Sequence, residues 1–538
     1  MSISWNGRLR ASLPGALVAL AALLRAAALV RAPVLTIDES RYLVVSHHLR
    51  HGLGYTNWDG PETHVHPLHP ALAALAGASL ESLEARGRSV TFLASILLLV
   101  PVGLIAERLG GRLAALLALF LMAVHPWLVR ASPSVQPESL YVLLVACALL
   151  ILLDAVAARG HEAAGERAGW RFAAAGLLFG LAYLARPEGI LVGLLGGGIA
   201  FLQARRARTA RFIEPAVFVL GRLLAAAPYL WFLRRVTGEW TLTGKTAFVF
   251  FVDQSIHVSR DLLDAPRIHG DMMARYGGVL PYVAAHPAVV LASAARNGAH
   301  ICFDLLPRAL GPVGLLGLFA LAVLLVLRRS MRPGSLLIAS PCLTLVLLLL
   351  TYSSDRVAGT TLPFLLVLAS LGLAAALESA PATWKRWRRA LLLPALASLA
   401  LAGWTPAAWR AWTQPSGRNG DGGGGEDDEA RLVARVIARA AAAPGGQEGF
   451  ITNNVVLSFY ARDPRMFGPP GRYRSFRFDA PCAAIVTGIK EQGMHLAILD
   501  LNGFPPPPDL GDPACPLRPM ARVEGPTRQR VVLILALS

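Results

Sequence analysis

The sequence predicts an all-α polytopic membrane protein of about eleven transmembrane helices, followed by a small C-terminal α/β soluble domain. Three observations carry this expectation. Of the 538 residues, 54% are hydrophobic and 16% charged, whereas a soluble domain carries about 25% charged residues. The apolar residues gather into runs of about twenty, the length that crosses a hydrocarbon core. Short arginine clusters separate those runs and fall on alternate connections, as a positive-inside arrangement requires. The net charge of +17 is therefore an anchoring signal and argues against a nucleic-acid partner.

Taken in order, Arg8 and Arg10 precede an apolar run ending near Val30 with no convincing small-residue cleavage site. Span 11–32 thus reads as an uncleaved first helix. The later spans are read at 88–107, 111–129, 138–157, 171–186, 188–204, 212–233, 309–327, 334–351, 357–378 and 390–405. With the N-terminus in the cytoplasm, alternation puts every dense basic cluster on that side. These are Arg108 and Arg112; Arg159, Arg167 and Arg171; Arg205, Arg206, Arg208 and Arg211; Arg328, Arg329 and Arg332; Lys385, Arg386, Arg388 and Arg389. The opposite face receives a first outer loop, 33–87, and a long outer loop, 234–308, expected to form short helices over that face. Residues His69 to Leu80 are apolar but too short to span, and read as an interfacial helix. The expected location is a plasma (inner) membrane, crossed many times.

Residues 1–412 make up the membrane domain, and 413–429 are a Gly- and acid-rich linker. Residues 430–538 read as an extracytoplasmic (periplasmic) α/β domain. Its helix is EARLVARVIARAAAA, and its short strands are GFITNNVVLSF, CAAIVTG, HLAILDL and RQRVVLILALS. The five cysteines follow no metal spacing. Cys147 and Cys342 lie in spans as small apolar side chains, with Cys302 beside one. Cys482 and Cys515 are either a disulfide of an exported domain or two buried thiols.

The unusual polar residues converge on the outer side. Asp38 and Glu39 sit where the first helix leaves the bilayer, as a general base, a metal ligand or solvated acids at a helix end. Arg41 and Tyr42 follow on the next turn, suited to a phosphate or to lipid headgroups. His64, His66 and His69 lie among prolines, without the spacing of a helical metal site. Glu138 opens a span, where an acid also suits the helix dipole. Arg186 closes a span and Glu188 opens the next. Lys245 lies in the long outer loop, and Asp355 and Arg356 occupy a very short outer turn. Together these residues describe an outward cavity at the bilayer edge, with acids for proton chemistry and separated cations for an anionic headgroup.

DESRY at Asp38–Tyr42, the Gly-rich turn and HPLHP at His66–Pro70 resemble the first outer loop of the GT-C fold glycosyltransferases. The similarity is to glycosyltransferase family 39, the protein O-mannosyltransferases and their bacterial relatives, and to the lipid A aminoarabinose transferase. HPWLVRASPSVQPESLY at 125–141, LARPEG at 184–189, TGEWTLTGK at 237–245 and DRVAGTTLPFLLVLASLGL at 355–373 extend it over about residues 10–380. The family usually has Pro-Pro-Leu-Tyr-Pro where this chain has HPLHP. The resemblance implies an inverting glycosyltransferase moving a hexosyl or pentosyl unit from a polyprenyl-phosphate-linked sugar to an acceptor hydroxyl on a lipid, glycan or protein. It implies Asp38 as the essential acid with Glu39 supporting it. Arg41, Tyr42, Arg186, Lys245 and Arg356 would hold the donor phosphate, with Glu138, His66 and His69 as further site candidates. No cofactor is called for, although a divalent metal is compatible with this residue set. The alternative is a transporter or lipid flippase, for which Arg25 is the clearest mid-span charge.

Overall fold

The computed structural model describes residues 7–379, except 33–34, 77–78, 80–81, 158–164, 207–212, 246–247, 249, 252, 254–264, 329–332 and 351–354. Beyond 450 it describes 451–452, 455–460, 464–469, 481–491, 494, 496–500, 508–524 and 531–537. The expected span 390–405, the linker 413–429 and the helix beginning near 430 lie outside the described residues.

The first helix, α1 (Gly7–Val30), leads into α2 (Ile37–Arg50), which is short, polar and largely buried. A two-stranded hairpin follows, β1 (Thr56–Asn57) and β2 (Gly60–Pro61), then α3 (Leu68–Leu75), a helix over the first part of the stretch His69–Leu80. Next come α4 (Leu83–Leu97), α5 (Leu99–Val124), α6 (Pro126–Ala131) and α7 (Glu138–Ala157). The turn expected near Arg108 and Arg112 is present inside α5, where Gly111 takes φ +75° and breaks the helix. A Cβ on Gly103 would sit 3.2 Å from Leu119, so the two halves fold back on each other at that glycine.

Helices α8 (Gly165–Ala185), α9 (Glu188–Arg206) and α10 (Ile213–Thr237) match the expected spans within a few residues. The long outer loop carries α11 (Ala265–Tyr276) and α12 (Val279–Ala285) as short helices. Its last part differs from expectation. It is a long apolar helix, α13 (Pro287–His300), continued by a π-turn at Ile301–Leu305 into α14 (Leu306–Arg328). Apolar residues fill this stretch, but Pro287, His300 and Asp304 interrupt it, so a window reading stops short. Helix α14 is broken at Gly311 (φ +61°). The expected span 334–351 is divided into α15 (Pro333–Ala339), a 3₁₀ turn at Ser340–Cys342 with Pro341 inside it, and α16 (Leu343–Leu347). The next two described helices are α17 (Asp355–Ala358) and α18 (Leu362–Ser379). Among the described residues six stretches are long and apolar enough to cross a membrane, and three shorter apolar helices accompany them. This is a multi-pass membrane architecture.

The helices meet at glycine seams, as apolar spans must where no hydrophobic force drives them together. Helix α8 lies against α10 so closely that a Cβ on Gly176 would collide with the Phe218 carbonyl. A Cβ on Gly180 would come 2.6 Å from the Arg222 carbonyl. Gly317 of α14 and Gly372 of α18 make the same approach. Around these seams the core gathers Val102, Val145, Leu149, Phe179, Phe364 and Leu366, all fully buried. Arg25 of α1 is also fully covered. Its guanidinium donates to the carbonyls of Ala21 (3.2 Å) and Met122 (3.1 Å), closing the end of α5.

The C-terminal region contains a four-stranded sheet, ordered β3 (Ile451–Thr452), β4 (Leu496–Asp500), β6 (Val531–Leu537), β5 (Leu517–Glu524). The β3–β4 pair is parallel and the others antiparallel. Two expected strands are corrected. GFITNNVVLSF is strand only at Ile451–Thr452 and then helix, α19 (Val455–Tyr460), followed by α20 (Pro464–Phe467). CAAIVTG belongs to helix α21 (Cys482–Glu491), whose buried Cys482, Ile485, Val486 and Ile489 follow helical spacing onto β4. Strand β5 was not expected. Cys482 and Cys515 form a disulfide with their Cα atoms 6.0 Å apart.

Gly176→Leu should lower the thermal midpoint of the detergent-purified protein sharply, because both backbones would have to part. Gly198→Leu, whose Cβ meets nothing within 4 Å, should leave it unchanged. Thermal denaturation of the two variants beside the parent checks this pair.

Candidate active site

Helix α2 positions the first acids. Thr36 caps its N-terminus, accepting the Glu39 backbone N–H (3.3 Å), while Glu39 Oε2 accepts the Thr36 N–H (2.8 Å). Glu39 Oε1 accepts the backbone N–H of Val135 at 2.7 Å. Both oxygens of Glu39 are thus committed to backbone amides, and the residue pins α2 against the segment before α7. Asp38, one residue earlier, faces elsewhere. Its Oδ2 accepts from Arg356 Nη1 at 2.9 Å, and its side chain remains 48% exposed.

From Arg356 a chain of ion pairs crosses the site. Arg356 Nε donates to Glu138 Oε1 at 2.5 Å, and Arg186 Nη1 donates to the same oxygen. Arg186 then closes its fork on Glu188, with Nη2 to Oε1 at 2.8 Å and Nε to Oε2 at 3.2 Å. Five residues from α2, α7, the α8–α9 connection, α9 and α17 are joined in one line, Asp38–Arg356–Glu138–Arg186–Glu188. Glu188, outside the expected site set, is the outer anchor of this line. The sequence signal for it was the Arg-Pro-Glu junction between two spans.

Lys245 adds a third cation. The chain segment that carries it is tied to the first outer loop by the Gly244 N–H, which donates to the Thr63 carbonyl at 3.0 Å. A Cβ at Gly244 would come 2.6 Å from Thr63 Oγ1, so the approach needs glycine. Lys245 is the strongest influence on Asp38 and, with Arg356, holds its carboxyl far below the usual carboxylate range against the effect of burial. Burial in turn pulls the Lys245 ammonium down, with Asp38 opposing it. Among the described residues Lys245 makes no side-chain hydrogen bond.

Arg41 and Tyr42 do not join this line. Arg41 Nε donates to Glu62 Oε2 at 2.6 Å, and its guanidinium lies 5.6 Å from the Trp58 ring centroid. Glu62 is fully buried and also accepts from Asn57 Nδ2 (2.6 Å), His64 N (2.6 Å) and Val65 N (3.0 Å). It is the hub of the first outer loop, and nothing in its sequence context marked it. Tyr42 is buried, its ring edge-on to His69 at 5.4 Å between centroids, and burial raises its phenol above the ordinary value.

His66 and His69 face the site without sharing a ligand. His66 Nδ1 donates to the Tyr183 carbonyl (2.7 Å), leaving Nε2 buried and unpartnered. The Thr91 hydroxyl donates to the Gln136 carbonyl (2.9 Å), so it accepts from His69 Nε2 (3.1 Å), and His69 Nδ1 is the bare nitrogen. Burial holds both imidazoles down to about 4. Among the described residues no three His, Cys, Asp or Glu side chains are grouped to hold a metal.

Similarity to known proteins follows the same lines. The sequence family described as dolichyl-phosphate-mannose-protein mannosyltransferase matches residues 63–232. No curated protein sequence matches the chain. Among solved structures, ArnT from Cupriavidus metallidurans in the apo state superposes with a TM-score of 0.60 at 16% identity, over 97% of each chain. The same protein bound to undecaprenyl phosphate gives 0.60 at 17%, again over 97% of each chain. The oligosaccharyltransferase of Archaeoglobus fulgidus, in complex with Zn and sulfate, gives 0.59 at 14%, over 90% of this chain and 68% of that one. The fold is that of the GT-C glycosyltransferases. In this chain the match at 63–232 covers the end of the first outer loop, Glu138, Arg186 and Glu188, while Asp38, Lys245 and Arg356 lie outside it.

The histidines give a pH dependence of stability. An unfolded histidine titrates at about 6.5. As pH falls from there toward about 4, the unfolded chain takes up protons that folded His66 and His69 refuse. Stability should therefore decline over that window. His69→Gln, which keeps the donor to Thr91, should make the decline shallower in thermal midpoints measured from pH 7 to pH 4.

Proposed function

We propose that the protein is an inverting glycosyltransferase that takes a sugar from a polyprenyl-phosphate donor and places it on an acceptor hydroxyl at the extracytoplasmic membrane surface. The observation that carries this reading is the half-exposed Asp38 carboxylate set beside two cations, Lys245 and Arg356, on a GT-C fold. A base and a phosphate-binding group then stand side by side, as glycosyl transfer from a lipid phosphate requires.

In this mechanism the donor phosphate sits against Lys245 and Arg356, with Arg186 held behind them by Glu138 and Glu188. The acceptor oxygen attacks the anomeric carbon from the face opposite the phosphate. The new carbon–oxygen bond forms as the bond to the phosphate oxygen breaks, and the lipid phosphate leaves with the electron pair. Asp38 takes the proton of the acceptor hydroxyl. In the resting site that carboxylate is a weak base because Lys245 and Arg356 stabilise its charge. An arriving phosphate shares those cations and returns basicity to Asp38. Glu39, fully engaged by amides, acts by orienting α2 rather than by exchanging protons.

The extracytoplasmic assignment is supported by the one-sided arginine clusters and by the Cys482–Cys515 disulfide, which suits an oxidising compartment. The C-terminal region bears on the same site. The Leu35 N–H donates to the Tyr460 hydroxyl (3.1 Å), and Phe459, Met466 and Phe467 pack with Tyr42, Leu43 and Trp58 around α2. An acceptor-recognition role for residues 430–538 follows from that proximity. Against the transporter alternative, Arg25, the clearest mid-span charge, donates to the helix carbonyls of Ala21 and Met122.

Purified protein in detergent, given a panel of radiolabelled undecaprenyl-phosphate sugars, should bind one saturably and hydrolyse it slowly. Asp38→Asn should retain donor binding while transfer falls by about 100-fold or more. Lys245→Met should chiefly weaken donor binding. Full transfer activity in Asp38→Asn would remove the assigned role.

A further inference from the structure

A second group of basic side chains lies away from the ion-pair line, at the far end of α2. His47 and His51 are stacked there with ring centroids 4.1 Å apart, and His47 meets the Phe467 ring edge-on at 5.3 Å. Arg50 and His51 are exposed, whereas His47 and Arg86 are 9% and 8% exposed. Arg86 stands in the first turn of α4, at the membrane-surface end of an apolar stretch. Each of these groups feels the next as a like charge, Arg50 acting on Arg86 and Arg86 on His47.

Two observations set this cluster apart from an ordinary solvated basic face. First, buried polar atoms are left without partners in it. Arg86 spends Nη1 on Ser82 Oγ (2.7 Å), but its Nε has no partner, and neither has His47 Nδ1. Second, among the described residues no carboxylate balances it. Glu84, on the same helix, is turned to Arg88 at 2.8 Å, and among the described residues no acid pairs with Arg86 or Arg50. A covered guanidinium with neither counter-charge nor full hydrogen bonding is costly, and an anion accepting from it relieves both deficits. The planar fork of arginine suits a phosphate in particular.

We propose that Arg86, Arg50, His47 and His51 form a binding site for a phosphate group, at the membrane-surface seam between α2, α4 and Phe467 of the C-terminal region. The site is separate from the Asp38–Arg356 line and does not rest on the transfer reading. The phosphate belongs either to a phospholipid headgroup, which the position at the start of α4 would bring within reach, or to a soluble phosphate compound. Burial and the neighbouring His51, His48 and Arg86 hold His47 down to about 4, so it is neutral at pH 7, and a bound anion would draw a proton onto it.

The full-length protein in a non-ionic, phosphate-free detergent is titrated calorimetrically with inorganic phosphate and, separately, with short-chain phosphatidylglycerol, using short-chain phosphatidylcholine as the zwitterionic control. A saturable site that persists in Lys245→Met, and is therefore distinct from the donor site, is expected, weakened roughly 10-fold in both Arg86→Gln and Arg50→Gln, the loss of a charge-assisted contact. Arg50 is exposed, so its substitution leaves folding intact and keeps the test open if Arg86→Gln does not fold. Binding of inorganic phosphate would assign a soluble ligand, and binding of phosphatidylglycerol alone would assign a lipid headgroup. Binding unaltered by Arg50→Gln, or no binding of either probe by the folded parent, would overturn the site.

Discussion

One carboxylate oxygen holds the candidate site of this protein together. Glu138 Oε1, at the first residue of α7, receives Arg356 and Arg186 at once. Two guanidiniums tolerate that proximity only because a negative charge lies between them, and because Asp38 and Glu188 neutralise their far sides. The consequence is mechanical as well as electrostatic. Residues far apart in the chain are fixed to the ends of helices that pack deep in the membrane, so the glycine seams below decide where the charged groups above can stand.

The first outer loop is built on the same logic, with a buried acid at its centre. Glu62 gathers Arg41, Asn57 and two backbone amides, and this stiffens the hairpin and the turn into the histidine segment. Tyr55 and Tyr229 then direct their hydroxyls to the Val65 carbonyl. Gly244 lays the Lys245 segment onto this rigid surface. Helix α2 is consequently held by Val135 below, by the loop at its side and by Phe459, Met466 and Phe467 above. Chemistry that depends on Asp38 is placed by all three.

The resting arrangement is charge-balanced, three acids against three bases, so an incoming phosphate has to be accommodated by exchange rather than by simple addition. Lys245 can exchange most readily, its ammonium having no hydrogen-bonded partner among the described residues. Arg186 can exchange least, with Glu138 on one edge and Glu188 on the other. This gives a physical ranking of the cations that residue type and position alone do not provide.

The sequence by itself determined the membrane class, most of the apolar helices and the gathering of polar groups at their ends, because hydropathy acts over whole segments. It also singled out Asp38, Glu138, Arg186, Lys245 and Arg356, each an ionisable group at the edge of an apolar run. Helical spacing was present in Cys482–Ile489, but a short apolar run flanked by turn residues read equally well as a strand. The tertiary structure alone decided which acid meets which base. It turned Glu39 to the Val135 amide, drew Arg41 to Glu62, brought in Glu188 and gave the two histidines separate partners. The physical reason is that such pairings depend on distances between groups many residues apart, set by helix packing, and local pattern carries no record of them.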